Sequence, residues 1–278
     1  MTLRECVVDA EKRLALGGIE NPRFEAEQLL QSCGFDKLTI ITEPNTAVSE
    51  EISREIRLKL ERRVHGEPLQ YILGEWEFYG LPFKVGKGVL IPRQDTEMLV
   101  DVARRFLEER GKSERRTLDL CAGSGCIGIS LAKTAGADTV CVEKFAEAFA
   151  YLEENITLNG VCVEAVLGDV FDENTVAGEF DLIVSNPPYL TEDDMQALQK
   201  EVRSEPQTAL FGGKDGLDHY RKILEMYPKK LKRGGMLAVE IGIHQECSVC
   251  DIFRENALKP QTEKDLCGVY RVVYGIKQ

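Results

Sequence analysis

Asn186-Pro187-Pro188-Tyr189 is the stretch of this 278-residue chain whose chemistry is easiest to read. Each proline fixes φ and lacks an N–H, so the segment is stiff and poor in donors. Its free polar groups are acceptors: the Asn186 side-chain oxygen and backbone carbonyls such as that of Pro187. A pocket of this kind suits a substrate N–H. Taken alone, the same letters also describe a proline-rich turn after a strand. The surroundings must decide.

Gly123, Gly125 and Gly128 spell G-x-G-x-x-G within Asp119–Gly128, in Cys121-Ala122-Gly123-Ser124-Gly125 and the residues after it. Such glycines permit a tight turn and let a ligand approach the backbone at a helix start. Glycines also serve packing, so the motif needs context. Glu143 supplies it, twenty residues after Gly123 at the end of the next expected strand, where a carboxylate can accept from both ribose hydroxyls. An adenosine-type cofactor follows. A nicotinamide dinucleotide would lay its pyrophosphate on the helix start. S-adenosylmethionine would instead need an acceptor for its ammonium, and Asp119 is a candidate unless it is a solvated strand-end carboxylate. In Gly168-Asp169-Val170-Phe171, Asp169 can accept from an adenine amino group, with Val170 or Phe171 against the ring. A turn aspartate and ordinary core residues are the plain alternatives. Acids end three successive strand regions and the acceptor loop ends the fourth, which favours S-adenosylmethionine.

The elements that would position these residues come in two textures. Residues 2–17 carry Leu3, Val7, Ala10 and Leu14 on one helical face. Asn21-Pro22 opens a second helix, and Ser49 caps a third that runs to about His65. Lys37–Glu43 reads as a short helix or equally as a strand. Tyr71–Gly80 and Leu81–Leu90, aromatic-rich and broken by Gly and Pro, predict a β-hairpin. Ile91–Glu97 leads into a helix through about Arg110. Beyond Arg116 the pattern alternates, with strands at 117–121, 139–143, 164–167, 181–185 and 236–240 and a final pair near 259–262 and 270–274. Helices are expected over 126–135, 145–158, 217–232 and 245–257. Alternation of this kind predicts a parallel doubly wound α/β sheet.

Composition bounds the function. There are 35 basic and 47 acidic residues, a net charge of −12, which gives no general attraction to nucleic acid or anionic membranes. Residues 1–80 hold 10 basic and 15 acidic side chains, so the helical part carries no basic footprint either. No apolar run is long enough to span a bilayer, and Met1–Cys6 opens no signal peptide. Nine scattered cysteines read as reduced thiols, and a cytoplasmic location is expected. His244, Cys247, Cys250 and Cys267 lack the second close pair of a structural zinc site, so no metal is expected; Cys247 and Cys250 fit one buried helix face.

Asp119–Gly125, Glu143, Gly168-Asp169 and the Asn-Pro-Pro-Tyr loop together resemble the Rossmann-like methyltransferases that modify a planar nitrogen. Arg62-Arg63, Gly66-Glu67-Pro68, Tyr71–Gly74, Glu77-Phe78, Ile91-Pro92-Arg93, Thr96-Glu97, Glu205-Pro206, Asp215-Gly216-Leu217 and Glu240-Ile241-Gly242 extend the likeness over nearly the whole chain. In this combination the sequence resembles the release-factor glutamine methyltransferase family. The resemblance implies a helical substrate-recognition domain at 1–67, a β-hairpin linker at 68–92 and a seven-stranded Rossmann-like catalytic domain at 93–278. It implies methylation, from S-adenosylmethionine, of the glutamine amide in the Gly-Gly-Gln motif of class I peptide chain release factors. Cofactor contacts would fall on Cys121, Ala122, Gly123, Ser124, Gly125, Glu143, Asp169, Val170 and Asn186. The target amide would meet Asn186, Pro187, Pro188 and Tyr189, with Tyr189 against its flat face; the plain alternative for Tyr189 is a loop residue packed on the sheet. Cys121-Ala122 and Glu143 depart from the commonest family letters without removing a backbone contact or the ribose acceptor.

Methyl transfer to an amide needs no prior deprotonation, because the proton can leave afterwards. His65, His219 and His244 are therefore expected in surface or helix-packing roles, Arg62-Arg63 on a solvated helix face, and Arg93 near the cofactor carboxylate or the entrance. The rival functions are a DNA or RNA base amino-methyltransferase, a nicotinamide-linked oxidoreductase and a non-enzymatic adaptor.

Overall fold

Helix capping organises the N-terminal part of the computed structural model, which describes residues 1–111 and 115–278. Helix α1 (Leu3–Leu16) starts in a capping box between Thr2 and Glu5; α2 (Pro22–Gln31) follows, with proline at its first position. Lys37–Thr42 forms α3, because the Asp36 carboxylate accepts the Thr39 N–H at 2.9 Å and starts a helical turn where a strand was the alternative. Ser49 caps α4 (Glu50–Val64), and α5 is Leu69–Leu73. Leu3, Cys6, Val7, Leu30, Ile40, Val48 and Ile56 bury one another among these helices.

Two expectations are corrected here. Residues 69–73 do not begin the hairpin: they make one helical turn, ended by Gly74 in the left-handed region at φ 76°. Arg63 is not solvated. Only 2% exposed, it donates through Nε to Glu25 at 2.5 Å and through Nη2 to Glu25 at 3.0 Å and Glu201 at 2.6 Å, while Arg62 stays exposed beside Glu67. These residues belong to one compact unit, Met1–Gly74 with Gln199–Ser204.

Removing one partner of a buried ion pair leaves the other charge uncompensated, at about 3–5 kcal/mol. Arg63→Ala is expected to lose stability on that scale, whereas Lys222→Ala, which breaks an exposed pair with Glu225, should lose under about 1 kcal/mol. Urea unfolding of the full chain followed by circular dichroism measures both. Equal losses would show that the Arg63 cluster is no more than a surface contact.

The second unit, Glu75–Leu198 with Glu205–Gln278, is a three-layer α/β structure. Its elements are β1 (Glu75–Phe78), β2 (Leu81–Lys84), α6 (Glu97–Glu108), β3 (Arg116–Leu120), α7 (Cys126–Ala135), β4 (Asp138–Glu143) and α8 (Ala146–Asn159). There follow β5 (Val163–Leu167), β6 (Phe180–Ser185), α9 (Glu192–Gln196), α10 (Asp218–Met226), β7 (Leu231–Glu240), α11 (Glu246–Glu255), β8 (Lys259–Lys264) and β9 (Tyr270–Ile276). The seven-stranded sheet runs β5-β4-β3-β6-β7-β9-β8, parallel except where β9 enters antiparallel to its neighbours. This is the Rossmann-like class, with the strand order reversing between β3 and β6. Alternate side chains feed two cores: Leu118, Leu120, Ile183 and Val239 face one layer, Leu182, Val184, Met236 and Ala238 the other.

Helix α10 stops at Met226, six residues earlier than expected, because Pro228 cannot supply the N–H that would continue it. Strand β7 consequently begins at Leu231, opposite Phe180, with an irregularity before Leu182 pairs with Met236. The hairpin β1–β2 is fixed to α8: the Asn155 amide accepts the Lys84 N–H at 2.6 Å and donates to the carbonyls of Lys84 at 3.1 Å and Ser124 at 3.0 Å. One side chain thereby ties the hairpin, α8 and the glycine loop together. Among the described residues no helix is long and apolar enough to cross a membrane.

Candidate active site

Parallel pairing aligns the strand ends. Leu120 lies opposite Val142 and Ser185, Ser185 opposite Val239, and Glu143 opposite Leu167. The residues that follow, Cys121, Asn186, Glu240 and Gly168-Asp169, must then crowd one edge of the sheet, where open α/β sheets bind ligands. A cavity of about 560 Å³ occupies that edge, within the usual range of roughly 300–1,000 Å³ for small-molecule sites.

The chain turns sharply into α7. Cys121 sits at φ 59°, a conformation costly for a non-glycine residue, and Gly123 and Gly125 follow at 56° and 80°. A Cβ on Gly123 would meet open space, so its backbone faces the cavity; one on Gly125 would strike the side chains of Leu152 and Ile129. The third glycine, Gly128, has a packing role, since a Cβ there would collide with Cys141 beneath α7.

Of the expected cofactor residues, Cys121, Ala122, Gly123, Ser124, Glu143, Asp169, Val170 and Asn186 line the cavity; Gly125 does not, being turned toward Leu152 and Ile129. Glu143 is held by two backbone donors, Gly123 N–H to Oε2 and Phe145 N–H to Oε1, both at 2.8 Å. Asp169 accepts the Phe171 N–H at 2.9 Å and pairs with Lys144 at 2.8 Å. Burial acts to raise its pKa, but Lys144 and the Phe171 N–H outweigh this and hold it below the usual carboxylate range.

Asp119 departs from expectation. It is fully buried, its Oδ2 accepts the Gly128 N–H at 2.9 Å, and it is absent from the cavity lining among the described residues. The reason is alternation along β3: Leu118 and Leu120 face one layer, so Asp119 must point to the other, under α7. Burial pushes its carboxyl up to about 7 against the opposing Gly128 hydrogen bond.

The acceptor loop is divided between wall and support. Asn186 and Pro188 line the cavity; Pro187 is buried beside them, and Tyr189 packs on the core instead of walling the cavity. Burial pushes the Tyr189 hydroxyl well above its ordinary range. The Gln245 amide anchors this loop by donating to the Tyr189 carbonyl at 3.0 Å. Gly212 and Gly216 explain the glycine-rich loop, because a Cβ on Gly212 would lie 2.6 Å from the Pro188 carbonyl and one on Gly216 would strike that of Tyr189.

Several wall residues come from elsewhere in the chain. Arg93 lines the cavity and pairs with the buried Glu205. Thr96 and Met195 also contribute, as does His219, whose ring lies 4.9 Å from that of Phe171. His219 therefore faces the cavity, where a surface or helix-packing role was expected; burial lowers its pKa. Cys247 is exposed, so only Cys250 of that pair faces the core. Among the described residues no group of three or more His, Cys, Asp or Glu side chains is arranged to hold a metal ion.

The charged groups of the lining bear on the choice of cofactor. Both lining cations, Arg93 and Lys144, are already paired with carboxylates, whereas Glu143 faces the cavity without a cation. A pyrophosphate would find no unpaired cation among the described lining side chains and would rest on the backbone N–H groups at the start of α7 alone. A ribose and a sulfonium with its positive charge fit.

Residues 5–74 match the PrmC N-terminal domain family and residues 96–214 the Methyltransferase small domain family. Over 99% of this chain and 96% of the relative, the sequence is 42% identical to the release factor glutamine methyltransferase of Geobacter sulfurreducens. The chain belongs to the release factor glutamine methyltransferase family. Its likeness to the Haemophilus influenzae member is 34% over 98% of this chain and 97% of that one. A methyltransferase from Pyrococcus furiosus, 18% identical, superposes with a TM-score of 0.55 over 81% of this chain and 98% of its own, and so shares the fold.

Proposed function

We propose that this chain transfers the methyl group of S-adenosylmethionine to the side-chain amide nitrogen of the glutamine in the Gly-Gly-Gln motif of class I peptide chain release factors. The observation that carries this reading is the convergence of the glycine loop, Glu143, Asp169 and Asn186 on one cavity in a chain that matches the family along its full length. When bound, the cofactor supplies an electrophilic methyl group on a sulfonium. Glu143 would accept from its ribose hydroxyls, Asp169 from its adenine amino group, and the Gly123 backbone would give room for close approach.

The Asn186 oxygen and the Pro187 carbonyl accept the two amide hydrogens of the substrate. Delocalisation makes an amide nitrogen a poor nucleophile; the peptide rotation barrier of ~18–20 kcal/mol measures its strength. Hydrogen bonds of ~1–3 kcal/mol each cannot cancel that. They can orient the nitrogen lone pair toward the methyl carbon and stabilise the positive charge growing on it. In-line positioning, worth up to ~7–11 kcal/mol, carries much of the rate. In this reading the helical unit recognises the protein substrate, and a reaction on translation factors supports a cytoplasmic location without a membrane or nucleic-acid partner.

The test is to incubate the protein with methyl-labelled S-adenosylmethionine and either a purified release factor or nucleic acid, then map the label. Label on the Gly-Gly-Gln glutamine is the expected result. Label on a nucleic-acid base would replace it with base amine methylation, which the same acceptors could serve.

A further inference from the structure

An Asn side chain can accept a substrate N–H only if its oxygen, and not its NH2, faces the substrate. Nothing in Asn186 itself decides which end points outward. The surroundings do.

Asn186 continues β6 in the same alternation as Leu182 and Val184, and Glu240 ends β7 in the same alternation as Met236 and Ala238. Both side chains thus leave adjacent strand ends on the face covered by α6, whose Leu99, Val100 and Ala103 join that core. Thr96 stands at the start of α6. It is 2% exposed, and its hydroxyl accepts the Asn186 Nδ2–H at 3.2 Å. That leaves the hydroxyl proton to be given elsewhere. Glu240, 3% exposed, is the acceptor at hand: Thr96 and Asn186 both stabilise its charged form, and its Oε2 is buried with no hydrogen-bond partner among the described residues.

We propose that Glu240, acting on Asn186 both directly and through Thr96, holds the Asn186 amide with its NH2 turned inward and its oxygen presented to the cavity. Glu240 is then a positioning residue for methyl transfer. A carboxylate has no hydrogen to give, so it forces donors on its neighbours: the Thr96 proton points at Glu240, the Thr96 lone pair takes the Asn186 NH2, and the Asn186 oxygen is left free. Glutamine at 240 offers both a donor and an acceptor and removes that direction. The proposal rests on the reading of Asn186 as substrate acceptor and adds what makes it one.

Protonation would likewise give Glu240 a hydrogen of its own. Burial pushes its carboxyl up to about 7; Thr96, Arg271 and Asn186 pull it down and Asp95 pushes it up, with Tyr189, Tyr220 and Cys126 the other titratable groups it faces. The ionised form is the one that orients Asn186. The rate should therefore climb as pH rises through about 7, and Glu240→Gln should lack that step.

The experiment compares Glu240→Gln, Thr96→Val and Thr96→Ser with wild type and Asn186→Ala. It measures kcat on release factor across pH and S-adenosylmethionine affinity by titration. Expected are kcat losses of about tenfold or more in Glu240→Gln and Thr96→Val, cofactor affinity within about twofold, and near-normal turnover in Thr96→Ser, which keeps the hydroxyl. Normal turnover in Glu240→Gln and Thr96→Val beside an inactive Asn186→Ala overturns the positioning role and leaves the acceptor reading standing. Parallel loss of cofactor affinity, or equal loss in Thr96→Ser and Thr96→Val, overturns it in favour of a structural role. An active Asn186→Ala removes the acceptor reading and the proposal with it.

Discussion

Asn186→Ala is expected to lower methyl transfer at saturating cofactor by at least about 10²–10³-fold while S-adenosylmethionine still binds. The magnitude follows from removing a preorganised group that acts on charge developing in the transition state. The substitution removes the only side-chain acceptor of the Asn-Pro-Pro-Tyr segment that lines the cavity, leaving the Pro187 carbonyl to hold one amide hydrogen. An amide held at one point can rotate, and rotation moves its lone pair off the line to the methyl group, so the entropic part of the advantage goes with the hydrogen bond. Cofactor binding survives because Glu143, Asp169 and the glycine loop do not depend on Asn186 for their hydrogen bonds. Single-turnover transfer of labelled methyl to release factor, with a parallel cofactor titration, measures both quantities. Turnover near the wild-type rate would end the acceptor mechanism.

The parts of this site that lie on strand ends are legible in the sequence, and for one reason. Parallel strands in register deliver their C-terminal residues to a common edge, so Gly123, Glu143, Asp169 and Asn186 could be brought together from order and spacing alone. The same rule carried one strand further would have reached Glu240, the acid that ends β7. Asp119 shows where the rule stops: it precedes the last residue of β3 by one, and alternation then decides the direction of its carboxyl. Tyr189 is open in the sequence between the substrate amide and the sheet, and the choice, like the anchoring by Gln245, depends on how the loop packs on Gly212 and Gly216, distant from it in sequence. Thr96 and His219 reach the cavity from the starts of α6 and α10, and only tertiary docking of those helices puts them there. In the helical unit, Arg63 looked like half of a charged surface pair; its burial required Glu25 and Glu201, neither near it in the chain.

Glu143→Ala is expected to act on the opposite quantity, weakening S-adenosylmethionine by about 100-fold with kcat at saturation changed only a few-fold. Hydrogen bonds to a charged acceptor contribute ~1.5–3 kcal/mol each, and two ribose hydroxyls depend on this carboxylate. The geometry adds a second loss. Gly123 and Phe145 both donate their N–H groups to Glu143, so alanine frees the loop that forms the cofactor wall as well as removing the acceptor. Glu143→Gln separates the two effects: its single oxygen can serve one backbone donor, and its NH2 must face the other. Its loss should fall between wild type and alanine. Glu143→Asp keeps the charge on a shorter arm and should lose least. Titration calorimetry with S-adenosylmethionine tests the order Asp, Gln, Ala, and unchanged affinity in the alanine variant would remove the ribose assignment. Set beside Asn186→Ala, the pair makes a crossed pattern, one variant failing in affinity with chemistry retained and the other in chemistry with affinity retained. A cavity in which Glu143 and Asn186 were merely structural would show both quantities falling together.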